Sequence, residues 1–107
     1  MSILVTGNLG YIGSVLTEKL ETAGNDVVGF DIGYFAECLT SKYQEPKKQI
    51  VKDLKYVSDK DLENVEAVIH LASLSNDPLG AFMPELTNKT NYEATIKLAT
   101  LSKKNKV

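Results

Sequence analysis

Hydrophobic positions along this chain fall into short continuous runs that alternate with stretches of helical period. The run "SILV", Ser2 to Val5, ends in Thr6-Gly7, the profile of a strand buried on both faces. From Tyr11 the apolar residues Ile12, Val15, Leu16, Leu20 and Ala23 recur at steps of three and four, which predicts an amphipathic helix. It stops at "GND", where Gly24 can take the left-handed conformation that closes helices. "DVVGFD", Asp26 to Asp31, and "KQIVKD", Lys48 to Asp53, predict a second and a third strand, separated by a polar stretch around Pro46. "SDKDLENV", Ser58 to Val65, reads as a short helix capped by Ser58 and leads into "EAVIHLAS", Glu66 to Ser73, a fourth strand. After the turn-forming loop "LSNDPLG", a long helix is predicted from about Pro84 to Lys104. It carries two apolar stripes, one of Thr90, Ala94, Leu98 and Leu101, the other of Tyr92, Ile96 and Ala99.

Strands alternating with helices at this spacing predict the α/β class: a Rossmann-like parallel sheet of about four strands with right-handed crossovers and helices on both faces. Such a sheet normally continues to six or seven strands, so residues 1–107 are expected to be the N-terminal half of a doubly wound domain. The length of 107 residues suits one domain, and 43% hydrophobic with 24% charged residues is ordinary for a globular protein. The net charge is −2 with scattered lysines, so no basic stripe recruits nucleic acid. No run approaches the roughly 18 apolar residues of a membrane span, and the N-terminal run is too short for a signal peptide, so a cytoplasmic location is expected. Cys38 excludes an internal disulfide and a cysteine-rich metal site. With no base nearby in "AECLT", it is expected to be an inert, semi-buried thiol.

Chemistry concentrates in "VTGNLGYIGS", Val5 to Ser14. Unpaired N–H groups at a helix N-terminus, together with the positive end of the helix dipole, attract phosphate when no side chain blocks the approach. Gly7 would allow the tight turn off the first strand, Gly10 the approach of the phosphates, and Gly13 the contact between helix and sheet. At the end of the second strand, Asp31 can accept hydrogen bonds from both ribose hydroxyls of adenosine and would repel a 2′-phosphate, which favours NAD over NADP. Each feature also has a plain reading: glycines serve ordinary turns, and a strand-end aspartate starts a loop.

"TGNLGYIGS" resembles the TGxxGxxG fingerprint of the extended short-chain dehydrogenase/reductases, the NAD-dependent epimerase/dehydratase group acting on nucleotide sugars. The resemblance extends over the whole chain, through "GFD", "VKDL", "VIHLAS" and "NYEAT". It implies cofactor contacts from Gly7, Gly10, Tyr11, Ile12, Gly13 and Asp31, and an adenine seat at Asp53 and Leu54. It also implies a nicotinamide-ribose wall at Leu71, Ala72 and Ser73, and an organising role for Asn91. "LSNDPLG" with "PELT" resembles one subgroup of sugar-nucleotide epimerases. Asn8 and Leu9 depart from the family's usual glycine and alanine; asparagine tolerates a positive φ, so the turn stays feasible. Ser73 replaces an alanine, and its hydroxyl could face cofactor or substrate.

In that family NAD transiently oxidises the sugar, epimerisation or elimination follows and hydride returns, with a Tyr-x-x-x-Lys pair as the acid-base group. Two matches occur here, Tyr43 with Lys47 and Tyr56 with Lys60, but both precede the fourth strand, whereas the family's pair follows the fifth. They are read as coincidences, and no catalytic or metal-ligating residue is assigned. His70, the single histidine, is expected to be a hydrogen-bonded core residue. The segment Ser73 to Pro78 is a candidate substrate-side wall, although Asn76 and Asp77 equally suit a turn. The resemblance implies a dinucleotide partner and, in a complete protein, a nucleotide sugar. The second stripe of the last helix, or the exposed sheet edge, suggests a homodimer. A non-catalytic dinucleotide-binding sensor and a simple interaction module stay open as alternatives.

Overall fold

The computed structural model describes residues 1–39, 43–74 and 81–107. Four parallel strands, β1 (Ser2–Thr6), β2 (Val27–Asp31), β3 (Lys48–Val51) and β4 (Val65–His70), form one sheet in the order β3-β2-β1-β4. Between β1 and β2 lies α1 (Tyr11–Thr22). After β4 come α2 (Pro84–Asn88), a π turn (Lys89–Glu93) and α3 (Ala94–Lys104). The last three follow one another without a break, so the long helix expected from Pro84 is present with one wide turn inside it.

Alternation along each strand separates two faces. Leu4, Val28 and Phe30 share one face, where they pack with Ala94 and Leu98 of α3, with Leu54 and Leu62 from two 3-10 turns, Leu54–Tyr56 and Asp59–Leu62, and with Val57 between those turns. Val5 and Val27, buried on the opposite face, lie under α1, so helical segments cover both sides of the sheet. The stripe of Ala94, Leu98 and Leu101 faces this core as expected, while Tyr92, Ile96 and Ala99 are exposed.

Several boundaries moved for visible reasons. β3 stops at Val51, after which Lys52 N–H donates to Asp31 C=O and Asp53 caps the next 3-10 turn by accepting from Lys55 N–H at 3.0 Å. β4 stops at His70, where Leu71 N–H is shared between the Thr6 carbonyl and the Thr6 hydroxyl and Ala72 N–H turns to that hydroxyl instead of to the strand. The helix expected at Ser58 is a single 3-10 turn, closed by a capping box in which Asp61 accepts from Ser58 N–H at 2.8 Å. On α1 the buried positions are Gly13 and Thr17, whose small side chains let the helix lie close to the sheet, so Ile12 and Val15 of the expected apolar face remain exposed. Gly24 has φ +88°, the left-handed closure anticipated for it. Cys38 is exposed rather than semi-buried, because its 3-10 turn, Ala36–Cys38, contributes no buried residue.

Leu98 is 3% exposed and lies in the main core. Leu98→Ala should lower the unfolding free energy by about 2–5 kcal/mol through lost transfer energy plus a cavity. Denaturant titration followed by circular dichroism measures this, and a loss below the cost of one methylene would place Leu98 outside the core.

Candidate functional site

β1 has β2 on one side and β4 on the other, so the strand order reverses beside it, where open parallel sheets place ligands. The turn Gly7 to Gly10 leaves β1 there and opens α1. Gly7 has φ +73°, and a Cβ on it would stand 2.8 Å from Ala72 N and 2.9 Å from Leu71 C. At Gly13 a Cβ would stand 2.1 Å from the Gly7 carbonyl oxygen, so this glycine lets α1 lie on the turn itself. Gly10 is less crowded: a Cβ on it would meet only the Gly7 carbonyl oxygen, at 3.2 Å, a tight contact short of the overlaps at Gly7 and Gly13. Gly10 is also the N-cap of α1, with no side-chain cap and no acid in the first turn, so the positive end of this helix is left unneutralised.

A cleft opens over this turn. One part is lined by Gly7, Gly10, Asp31, Asp53, Leu54 and the stretch Leu71–Leu74. The adjoining part shares Gly7, Gly10, Leu71 and Ser73 and adds Tyr11, Ile12 and Gly13. Eleven of the twelve positions expected from sequence therefore come together; Asn91 is the exception. It sits in the π turn, where its Nδ2 donates to Leu74 C=O at 2.8 Å and its Oδ1 accepts from Leu74 N–H at 2.7 Å. Asn91 thus grips the backbone of the cleft wall from behind. The wide helical turn that presents it, a frequent companion of functional sites, had no period signature to reveal it. Of the candidate substrate-side segment, Ser75, Asn76, Asp77 and Pro78 lie outside the described residues.

The Asp31 carboxylate accepts Leu9 N–H at 3.1 Å and Gly33 N–H at 2.7 Å, one bond to each oxygen, so it retains acceptor capacity on the cleft side. Lys52 also lines the cleft, but its ammonium is paired with Asp61 at 2.6 Å. Burial would raise the Asp61 pKa, but hydrogen bonds from Lys52 and Ser58 outweigh it and hold the carboxyl below its ordinary value. The aromatic residues Tyr34 and Phe35, absent from the sequence-based assignment, stand in the same wall as Asp31, which they follow by three and four positions.

Behind the wall, hydrogen bonds fix the tautomer of His70. The Thr6 hydroxyl accepts from Leu71 N–H and Ala72 N–H at 3.1 and 3.2 Å, so its own proton goes to His70 Nδ1 at 2.7 Å. His70 Nε2 then carries the ring proton and donates to Thr95 Oγ1 at 2.8 Å, which donates to Asn91 C=O. Both nitrogens are satisfied, as the hydrogen-bonded reading of His70 requires. Neither Tyr-x-x-x-Lys match shares a helical turn: Tyr43 and Lys47 flank Pro46 outside any helix, and Tyr56 and Lys60 sit in separate 3-10 turns.

A parallel sheet in this order, with a glycine turn at its switch point, defines a doubly wound, Rossmann-like fold, here the N-terminal half of one. The chain belongs to the NAD-dependent epimerase/dehydratase family, whose model matches residues 3–107. It is 29% identical over 107 residues to UDP-glucuronic acid decarboxylase 1 of Arabidopsis thaliana, covering 97% of this chain and 24% of that protein. Among solved structures, the NAD-dependent NDP-hexosamine 5,6-dehydratase TunA of tunicamycin biosynthesis superposes with a TM-score of 0.84 at 26% identity, over 95% of this chain and 33% of that one. MoeE5, solved in complex with UDP-glucose and NAD, gives 0.76 at 29% identity, over 95% and 32%. The chain thus spans about a quarter to a third of the length of these relatives.

Burial lowers the His70 pKa from its ordinary 6.5, so the unfolded chain binds the ring proton more readily than the folded one. Stability should therefore be full above 6.5 and decline as pH falls from there toward the depressed folded value. Urea unfolding between about pH 5 and pH 8 should show this slope, and His70→Gln, which cannot titrate, should flatten it. An unchanged slope in the variant would assign it to other groups.

Proposed function

We propose that this chain is the NAD-binding portion of an oxidoreductase of the nucleotide-sugar epimerase/dehydratase type. The observation that carries it is the uncapped, unneutralised N-terminus of α1 opening at the switch point, with a bare Gly10 at its tip and Asp31 in the same cleft. In this reading Gly7, Gly10 and Gly13 with the N–H groups of Tyr11 and Ile12 receive the pyrophosphate. Asp31 accepts from the adenosine ribose, Asp53 and Leu54 seat the adenine, and Leu71, Ala72 and Ser73 border the nicotinamide ribose. Asn91 holds that border through Leu74. When bound, NAD would supply hydride acceptance and return.

NAD is favoured over NADP because Asp31 and Asp53 make the adenosine end acidic while Lys52 is already spent on Asp61. A nucleotide sugar is the proposed substrate of the complete protein; decarboxylase and dehydratase relatives support that class without choosing the reaction. The alternative is a dinucleotide sensor without chemistry of its own. It is favoured because neither tyrosine with a lysine four residues on, Tyr43 or Tyr56, shares a helical turn with that lysine. The exposed Tyr92, Ile96 and Ala99 face is the proposed seat of a second copy of the chain. Light scattering at rising concentration should then show a dimer, and a monomer throughout would remove that part.

Calorimetric titration should give tighter binding of NAD than of NADP. Asp31→Ala should weaken NAD by about tenfold or more, as loss of hydrogen bonds to a charged acceptor does, and should narrow the preference between the two. No heat and no thermal shift with either dinucleotide would overturn the binding assignment, and tighter NADP binding would overturn the role of Asp31.

A further inference from the structure

The side chain of Asn8 is fully buried beneath the glycine turn, on the α1 face of the sheet, and asparagine is there for a reason other than turn conformation. Its φ is not positive; the left-handed residue of this turn is Gly7 alone. Instead the Asn8 amide reaches across β2 to β3. Asn8 Nδ2 donates to Gln49 Oε1 at 2.7 Å, Gln49 Nε2 donates back to Asn8 Oδ1 at 3.1 Å, and Asn8 Nδ2 also donates to the Tyr43 hydroxyl at 3.1 Å. The bridge passes over Gly29, the β2 residue paired with Gln49. A Cβ at Gly29 would stand 2.2 Å from Gln49 Oε1 and 2.4 Å from Asn8 Nδ2, so any larger residue would displace the bridge.

We infer that Asn8 and Gln49 form an amide clamp, completed by Tyr43, that holds the glycine turn in its pyrophosphate-receiving conformation before the dinucleotide arrives. A turn of this kind binds an anion only if its N–H groups converge, and ordering them beforehand removes that entropy cost from binding. Gly7 and Gly10 carry no side chain to bias their backbone, so the convergence of the N–H groups rests on the residues around them. Gly13 fixes the helix side of the turn, and the reciprocal amide pair fixes the strand side. Removing Gln49 takes from the fully buried Asn8 amide the donor to its oxygen, and removing Asn8 takes from Gln49 both bonds across the sheet, which makes the clamp cooperative. Burial raises the Tyr43 phenol above its ordinary 10.0, an effect partly offset by Asn8 and by the nearby Thr17, so its hydroxyl stays protonated at neutral pH. The Thr17 hydroxyl, wholly buried, finds no hydrogen-bond partner among the described residues.

The clamp is a positioning device and rests on the NAD-binding reading above, so its test has one readout with ligand and one without. The chain and its Asn8→Ala, Gln49→Ala and doubly substituted variants are titrated with NAD and, separately, with adenosine, which lacks the pyrophosphate. Each single substitution should weaken NAD about tenfold while leaving adenosine unchanged, and the double substitution should cost little more than either alone. The exchanged pair Asn8→Gln with Gln49→Asn, which conserves the amide partners and their combined length, should recover affinity. Without ligand, amide hydrogen exchange at Leu9, Gly10 and Tyr11 should quicken in the single variants and slow again in the exchanged pair. Where an alanine variant fails to fold, Tyr43→Phe, which removes one contact only, should give the same pattern at smaller size.

Equal losses for NAD and adenosine, additive losses, or unchanged exchange at the turn would each overturn the clamp. Wild-type chain that binds no NAD would overturn the functional reading while the exchange data still decide the clamp.

Discussion

Where β1 and β4 end, two backbones meet with no side chain between them: Gly7 lies against the peptide joining Leu71 to Ala72. The Thr6 hydroxyl sits in the same junction and accepts both N–H groups that β4 releases as it leaves the sheet. That contact decides the rest of the site. It ends β4 at His70, turns Leu71–Leu74 into a wall instead of a longer strand, and sets the entry direction of α1, which Gly13 then seats on the turn. A methyl group at either glycine would have to be accommodated by moving backbone, the least compliant part of a packed domain.

Two hydrogen-bonded assemblies brace this junction from opposite faces. On the α3 face, Thr6, His70, Thr95 and Asn91 pass donors in one direction until Asn91 grips Leu74. On the α1 face, Asn8 reaches over Gly29 to Gln49. Apolar packing around Leu4, Phe30 and Leu98 supplies cohesion without direction, whereas these polar contacts have directions and can place a backbone to within a fraction of an ångström. Relatives that decarboxylate or dehydrate sugars share this N-terminal architecture, so the fold by itself leaves the reaction open.

Strand and helix identities were legible because periodicity is local: four apolar runs became four strands, and the glycine spacing with Asp31 marked the cleft. Boundaries were less so, since the ends of β3 and β4 depend on partners from elsewhere in the chain, Asp31 for one and Thr6 for the other. The buried face of α1 differs from its periodic pattern for a related reason: hydrophobicity marks Ile12 and Val15, whereas close approach to the sheet selects the small residues Gly13 and Thr17.

Neighbouring positions were enough to specify the α/β class, the alternation of strand and helix along the chain, the glycine turn and the acidic residue that follows it, because each is written within a short stretch. The bridge from Asn8 to Gln49 and the grip of Asn91 on Leu74 came from the folded chain alone. Those pairings join residues far apart in the chain through hydrogen bonds and close contacts, and such interactions have no period and no spacing until the sheet has brought their partners together.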